Sequence, residues 1–310
     1  MPGSYASIRK TIRHLCAQTA KDRLEVVIVT TPGKIQQINS SELAAVGAWQ
    51  VVTVPEIRVG AEAWAVGIAS AKGAVVVLAE DHSYPEPQWA ATLLEAHRGN
   101  YSAVAPAVCN GNPGSLTSWA NFLLCFLDWY APDQDREILS GPGHNTSYKL
   151  ADLTSYDGHL ARLMNPERLL HMDFARNGRR MFLASQACTH HVNISRFPSY
   201  VRQSFHGGRV FGAGRRDGWS FGKRLLYAGA FWLVPPIRLR RIFAALNTPE
   251  KRSHSRFWPA SPLIMIGLLS HALGEAAGYL WGMGGSLDAY MTFEMFRSDH
   301  ILRTERHLLN

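Results

Sequence analysis

Ala74–Trp89 reads AVVVLAEDHSYPEPQW, and the rest of the chain is organised around it. Five apolar residues, Ala74 to Leu78, lead through Ala79 into Glu80-Asp81-His82, and Pro85 and Pro87 keep a helix from starting at once. A short continuous apolar run bounded by turn residues predicts a buried strand of a parallel sheet. Open α/β sheets place their ligands beyond the carboxyl ends of the strands. Two carboxylates and an imidazole at such an end offer hard oxygen donors and a borderline nitrogen to a metal–phosphate. The competing reading is a polar strand end whose charges are simply solvated.

Ala61–Lys72 has helical spacing and stops at Gly73, and Trp89–His97 predicts the next helix. Leu24–Val29, Val51–Val54 and Ser102–Val108 read as strands. Ile8–Gln18 predicts an opening helix, with Ile8, Ile12 and Leu15 on one face and Ser7 as its N-cap. Strand and helix in this rhythm predict a mostly parallel α/β sheet flanked by helices. Because the chain opens on a helix, the expectation is either a sheet without its usual first strand or a protein whose start lies upstream of this Met1.

Beyond the turn cluster Asn110–Gly114, the aromatic stretch Trp119–Tyr130 reads as core packing. In Gly141–Lys149 (GPGHNTSYK), Gly143 beside His144 and Asn145 would let a backbone approach a ligand closely, or would make a tight turn without further role. Lys149 reads as a solvated lysine. Pro166–Asn177 predicts a helix ended by Gly178, with Glu167 in its first turn, where the helix dipole favours a carboxylate. Met181–Ala184 and Ala187–Thr189 read as one interrupted strand ending in His190-His191.

At 310 residues, 46% hydrophobic and 18% charged, the chain is long enough for one large domain plus an appendage and is not disordered. Between Arg196 and Arg256 there are 13 Lys and Arg against Asp217 and Glu250, a local excess larger than the whole-chain charge of +8. The remainder is therefore slightly acidic, and the C-terminal third suits an anionic surface. Cys16, Cys109, Cys125 and Cys188 are scattered and read as reduced thiols of a cytosolic protein, neither a disulfide framework nor a zinc site. No charged-then-apolar leader precedes the first helix, so secretion is not expected, and the sequons at Asn39, Asn145 and Asn193 read as chance matches.

In order and spacing, these segments resemble a family 2 glycosyltransferase of the GT-A fold, over roughly residues 5–193 and more loosely to 282. The stretch SIRKTIRHLCAQTAKDRLEVVIV resembles that family's first helix and second strand. GIASAKGAVVVLAEDHSYPEPQW resembles the approach to its metal motif, with Glu80-Asp81-His82 in place of Asp-x-Asp. GPGHNTSYK resembles the Gly-x-Asn loop, PERLLHMDFARNG the segment carrying the catalytic base, and ACTHHVN the closing strand. The resemblance implies a divalent metal, Mn2+ or Mg2+, held by Asp81 with Glu80 or His82 assisting and His191 as a further ligand. It implies Glu167 as the base of an inverting transfer. Gly143, His144 and Asn145 would bind donor sugar or acceptor. The chain departs from the family on the nucleotide side: the first strand is missing, Thr30-Thr31-Pro32 follow the second, and Trp64 replaces a helix arginine.

In the C-terminal third, Pro262–Gly282 is a run of twenty-one mostly apolar residues, long enough to cross a bilayer. His271 and Glu275 share a face with Gly267, Gly274, Gly278 and Gly282, which predicts close helix–helix packing and argues against simple lipid exposure. The expectation is a catalytic domain over residues 1–200 and a basic helical region over 201–310, on the cytoplasmic face of the membrane, either peripheral or as a helical hairpin. The expected partners are a nucleotide-sugar, a glycan or lipid-linked acceptor and anionic lipid. Nucleic acid is not expected, because no binding motif accompanies the charge. The contrasting reading is a donor-site-deficient, non-enzymatic homologue that docks on the membrane as a scaffold.

Overall fold

The computed structural model describes residues 4–57, 60–164 and 168–309. The chain forms two compact units. One comprises Met1–Gly111, Trp129–His191 and Leu309–Asn310; the other comprises Asn112–Asp128 and Val192–Leu308.

Among the described residues the first unit holds eight strands: β1 Glu25–Thr30, β2 Ala48–Thr53, β3 Val75–Val77, β4 Ser83–Pro85, β5 Ala103–Asn110, β6 Arg136–Ile138, β7 Ser147–Lys149 and β8 Met181–His191. β1 and β2 pair in parallel as a sheet of their own. The opening helix, Tyr5–Cys16, packs on it through Ile12, which joins Val26, Ile28, Leu43 and Val46. The other six strands form a second sheet in the order β3-β7-β5-β8-β4, with β6 also on β8.

That larger sheet is mixed, which corrects the mostly parallel expectation. Only β5 and β8 run in parallel; the pairings β3–β7, β5–β7, β4–β8 and β6–β8 are antiparallel. The decisive apolar run makes a strand of only three residues, partly buried, antiparallel to β7 and at the end of the order. The reason is local. Between Val77 and Ser83 the chain leaves one end of the sheet and re-enters at the other as β4, so the apolar run cannot extend as a central strand. The interrupted strand is in fact continuous: β8 spans eleven residues, and its break is a register shift opposite Pro106 and Ala107. Pro106 lacks the amide hydrogen that a regular ladder needs, and a bulge accommodates it.

Alternating residues divide the core between the two faces of this sheet. Ala103, Tyr148 and Met181 face a cluster with Leu153, Leu160, Leu170 and Phe174, and Val104 and Phe182 face Trp89, Ala90 and Leu93 of the helix Trp89–Ala96. Just beyond that helix, His97 is buried with its Nε2 2.8 Å from Ser147 Oγ. Burial, and secondarily the Lys149 ammonium, hold its pKa down at about 4. The unfolded ring titrates near 6.5, so between these values the unfolded chain binds a proton that the folded chain excludes. Stability from this group is complete above about pH 6.5 and falls by about 3 kcal/mol as the pH drops toward 4. Urea unfolding at pH 7 and pH 4.5 should show a smaller difference for His97→Gln than for the wild type. Equal differences would remove His97 from the acid response.

The second unit is helical. Its framework is the pair Phe197–Arg215 and Phe257–Trp281, the latter 25 residues and the one described helix long and apolar enough to cross a membrane. Glycines set the approach of the pair. A Cβ on Gly208 would overlap the backbone of His271, one on Gly212 that of Glu275, and one on Gly274 that of Phe205. Glu275 is buried in this seam, 3.1 Å from His271 Nδ1, and accepts a hydrogen bond of 3.1 Å from the Tyr279 hydroxyl. Away from the seam, Trp258, Ile266, Leu269 and Leu273 are exposed on one face of the long helix, and Phe221, Leu226 and Trp232 are exposed on the segments before it.

Candidate metal centre

The crossing from β3 to β4 carries Glu80-Asp81-His82 over the carboxyl ends of β5 and β8. β3 is antiparallel to β7, which is antiparallel to β5, so β3 ends where β5 and β8 end. His191 is the last residue of β8 and pairs in register with Ser83, the residue after the triplet. β7 starts at this same end, and the loop before it brings in His144. Sheet topology alone thus gathers residues from three separate stretches of sequence.

Several hydrogen bonds fix the crossing. Thr11 Oγ1 donates to the Glu80 carbonyl at 2.9 Å, and the Tyr84 hydroxyl donates to that of Asp81 at 3.3 Å. The Asn145 amide donates to the Leu78 carbonyl at 2.8 Å, and Asn145 Nδ2 donates to Ser83 Oγ at 2.9 Å. Ser83 Oγ in turn meets Thr189 Oγ1 at 2.9 Å. The loop reaches this position through two left-handed residues, Gly143 at φ 69° and Asn145 at φ 58°. Those are the residue types that adopt such angles most readily.

Within the frame, His82 Nδ1 lies 2.7 Å from Asp81 Oδ1. A carboxylate only accepts, so the proton sits on Nδ1 and the lone pair of Nε2 is directed elsewhere. It points toward Glu80, with His82 Nε2 3.6 Å from Glu80 Oε2. His191 Nε2 approaches the same oxygen at 3.7 Å. The other oxygen of Glu80 receives His144 Nδ1 at 2.8 Å. The rings pack against one another, His82 edge-on to His191 with centroids 4.9 Å apart and His144 stacked on His191 at 5.4 Å. His82 and His191 are each 2% exposed. Glu80, His82 and His191 present ligand atoms within 4.8 Å of one another, a cluster able to hold a metal ion.

The sequence-level candidates are therefore placed unevenly. Glu80, His82, His144 and His191 converge. Asp81 bonds the Nδ1 edge of the His82 ring. Asn145 is buried, and its side-chain amide bonds Ser83. Lys149 donates to the Gly99 carbonyl at 3.2 Å. Glu167 lies outside the described residues, and the helix that follows it runs Arg168–Arg176. Thr11, Ser83 and Thr189 hold the site, and nothing in the sequence singles them out. Isolated hydroxyl residues carry no motif, and only the strand register brings them here.

Comparison of the chain with models of known protein families finds no match, and comparison with curated proteins finds none either.

Proposed function

We propose that the first unit is the catalytic domain of a metal-dependent inverting glycosyltransferase. It moves a sugar from a nucleoside-diphosphate donor to a hydroxyl acceptor. The observation that carries this reading is the buried Glu80 Oε2 facing two imidazole nitrogens at 3.6 and 3.7 Å. Two nitrogen or oxygen donors at adjacent corners of an octahedron, each about 2.1 Å from one cation, stand roughly 3.0 Å apart, so each imidazole would close on the carboxylate by about 0.6 Å. The residues fit a metal with little movement. Glu80, His82 and His191 would be the ligands, with Asp81 holding the His82 tautomer and His144 orienting the Glu80 carboxylate. A donor set this rich in imidazole favours Mn2+ over Mg2+, which prefers oxygen alone. A cation held there would supply positive charge to a leaving diphosphate.

The position at the carboxyl ends of β5 and β8 is where an α/β sheet receives its ligand. The resemblance of the surrounding motifs makes that ligand a nucleotide-sugar. Glu167, carried over from the same resemblance, takes the proton of the acceptor hydroxyl as it attacks the face opposite the leaving group. The second unit supports a membrane setting. Its basic residues and exposed apolar helix faces suit the cytoplasmic surface of an anionic bilayer, with a lipid- or envelope-linked glycan as acceptor.

The test is turnover of a panel of nucleotide-sugars with manganese, using the wild type and Glu167→Gln. The wild type should release nucleoside diphosphate in the presence of acceptor. Glu167→Gln should keep donor binding and lose transfer. An active Gln variant would move the base elsewhere. Metal and donor binding without turnover of any sugar would favour the non-catalytic, membrane-docked scaffold.

A further inference from the structure

A second cluster of metal-binding side chains lies on one face of the same sheet, built from three adjacent strands. Cys109 pairs in register with His190 across β5 and β8, and Ala107 pairs with Cys188. Register partners in a sheet, and residues two apart along a strand, point to the same side. Cys109, Cys188 and His190 therefore share one face. On the far side of β8, Tyr84 pairs with His190, and Glu86, two residues on, reaches the position beside Cys188. The Glu86 amide donates to the Cys188 carbonyl at 3.0 Å, which fixes that position.

The side chains meet at Cys188, which touches Cys109 on one side and shares a cluster with His190 and Glu86 on the other. Cys109 Sγ and Cys188 Sγ are 2.8 Å apart, and both are free thiols. His190 Nε2 is 3.0 Å from Glu86 Oε1. Glu86, Cys188 and His190 offer ligand atoms within 4.8 Å of one another. The His190 and Glu86 side chains are 42% and 50% exposed, so the cluster opens to solvent and has an entry path for an ion. Nothing in the glycosyl-transfer reading uses these residues.

We propose that Cys109, Cys188, His190 and Glu86 form a binding site for one zinc ion, separate from the Glu80 centre. The donor set is the argument. Two thiolates, an imidazole and a carboxylate make a four-ligand shell for a borderline-soft tetrahedral cation and a poor one for Mg2+ or Mn2+. The two sulfurs open from 2.8 Å to about 3.7 Å, the separation set by zinc–sulfur bonds of about 2.3 Å. Ion binding displaces a proton from each thiol and cross-links β4, β8 and β5 below the strand ends that carry Glu80 and His191. No sequence motif marks the site, because 79 residues separate the two cysteines and C-x-x-C spacing is absent.

The experiment is cobalt titration of the full chain, purified metal-free under reducing conditions. The Glu80 centre contains no sulfur, so a near-ultraviolet sulfur-to-cobalt charge-transfer band reports this site alone. One equivalent should produce the band, and zinc should displace it. Cys109→Ser and Cys188→Ser should each reduce its intensity about twofold, and His190→Ala should weaken cobalt affinity by about tenfold or more. Glu80→Gln should leave it unchanged. For variants that fail to fold, alkylation of the wild type serves instead: zinc should protect Cys109 and Cys188 from iodoacetamide but not Cys16. Absence of the band, its survival in the double serine variant, or alkylation of both cysteines at an unchanged rate in zinc would overturn the proposal. A wild-type chain that carries a Cys109–Cys188 disulfide and no zinc after aerobic purification would also overturn it.

Discussion

His191→Ala is expected to abolish manganese-dependent turnover while leaving the far-ultraviolet circular dichroism of the chain intact. His191 ends β8, and its backbone pairs remain when the ring is removed. Only the imidazole facing Glu80 is lost. Removing an outer-sphere partner of a metal ligand costs about 10–100-fold in affinity, and removing a ligand costs more. Asp81→Asn supplies the contrast. Its amide still reaches His82 Nδ1 but can donate as well as accept, so the tautomer is no longer fixed. Manganese affinity should fall by about 10–100-fold, less than for His191→Ala. An Asp81→Asn effect as complete as that of His191→Ala would make Asp81 a direct ligand, as the motif resemblance alone implies. Full turnover in His191→Ala would take β8 out of the site.

The second large effect concerns the helical unit and compares one substitution at two positions of one helix. Gly208→Ala places a methyl group against the backbone of His271, where no side-chain rotation relieves the overlap. The helices must separate, at a cost of about 1–3 kcal/mol. A methyl group at Gly214, on the same helix, would meet nothing within 4 Å. There alanine should stabilise by about 0.5–1 kcal/mol through its higher helix propensity. Thermal unfolding followed by the helical circular dichroism signal reads both effects. The transition temperature should fall for Gly208→Ala and hold or rise for Gly214→Ala. Equal behaviour of the two variants would mean that glycine sets no helix approach here.

How much of this is legible in the sequence depends on the kind of interaction. The element boundaries near Glu25–Thr30, Ala48–Thr53, Gly60–Ser70 and Trp89–Ala96 follow from local periodicity and stop signals, and the structure places elements there within a few residues. The gathering of the Glu80, His144 and His191 stretches is legible only through the resemblance. No local pattern shows that β3 and β4 lie at opposite ends of one sheet. The division of labour between Glu80 and Asp81 is not legible at all. Adjacent carboxylates look alike in a sequence, and only the direction of His82 separates the one that faces two imidazole nitrogens from the one that accepts the Nδ1 hydrogen. The seam glycines of the long helix are legible from their spacing, because small residues four apart leave a groove that another helix fills. The partner helix, Phe197–Arg215, is not, because its glycines at 208 and 212 lie among mixed polar residues.

We propose that Glu80, His82 and His191 hold a cation that serves a nucleoside diphosphate. Electron paramagnetic resonance of Mn2+ added to the purified chain, with and without nucleoside diphosphate, tests it most directly. The free-ion signal should be lost at one equivalent, binding should tighten when the diphosphate is present, and Glu80→Gln should show neither effect. A free-ion signal that persists in the wild type, or a diphosphate effect that survives in Glu80→Gln, would contradict it.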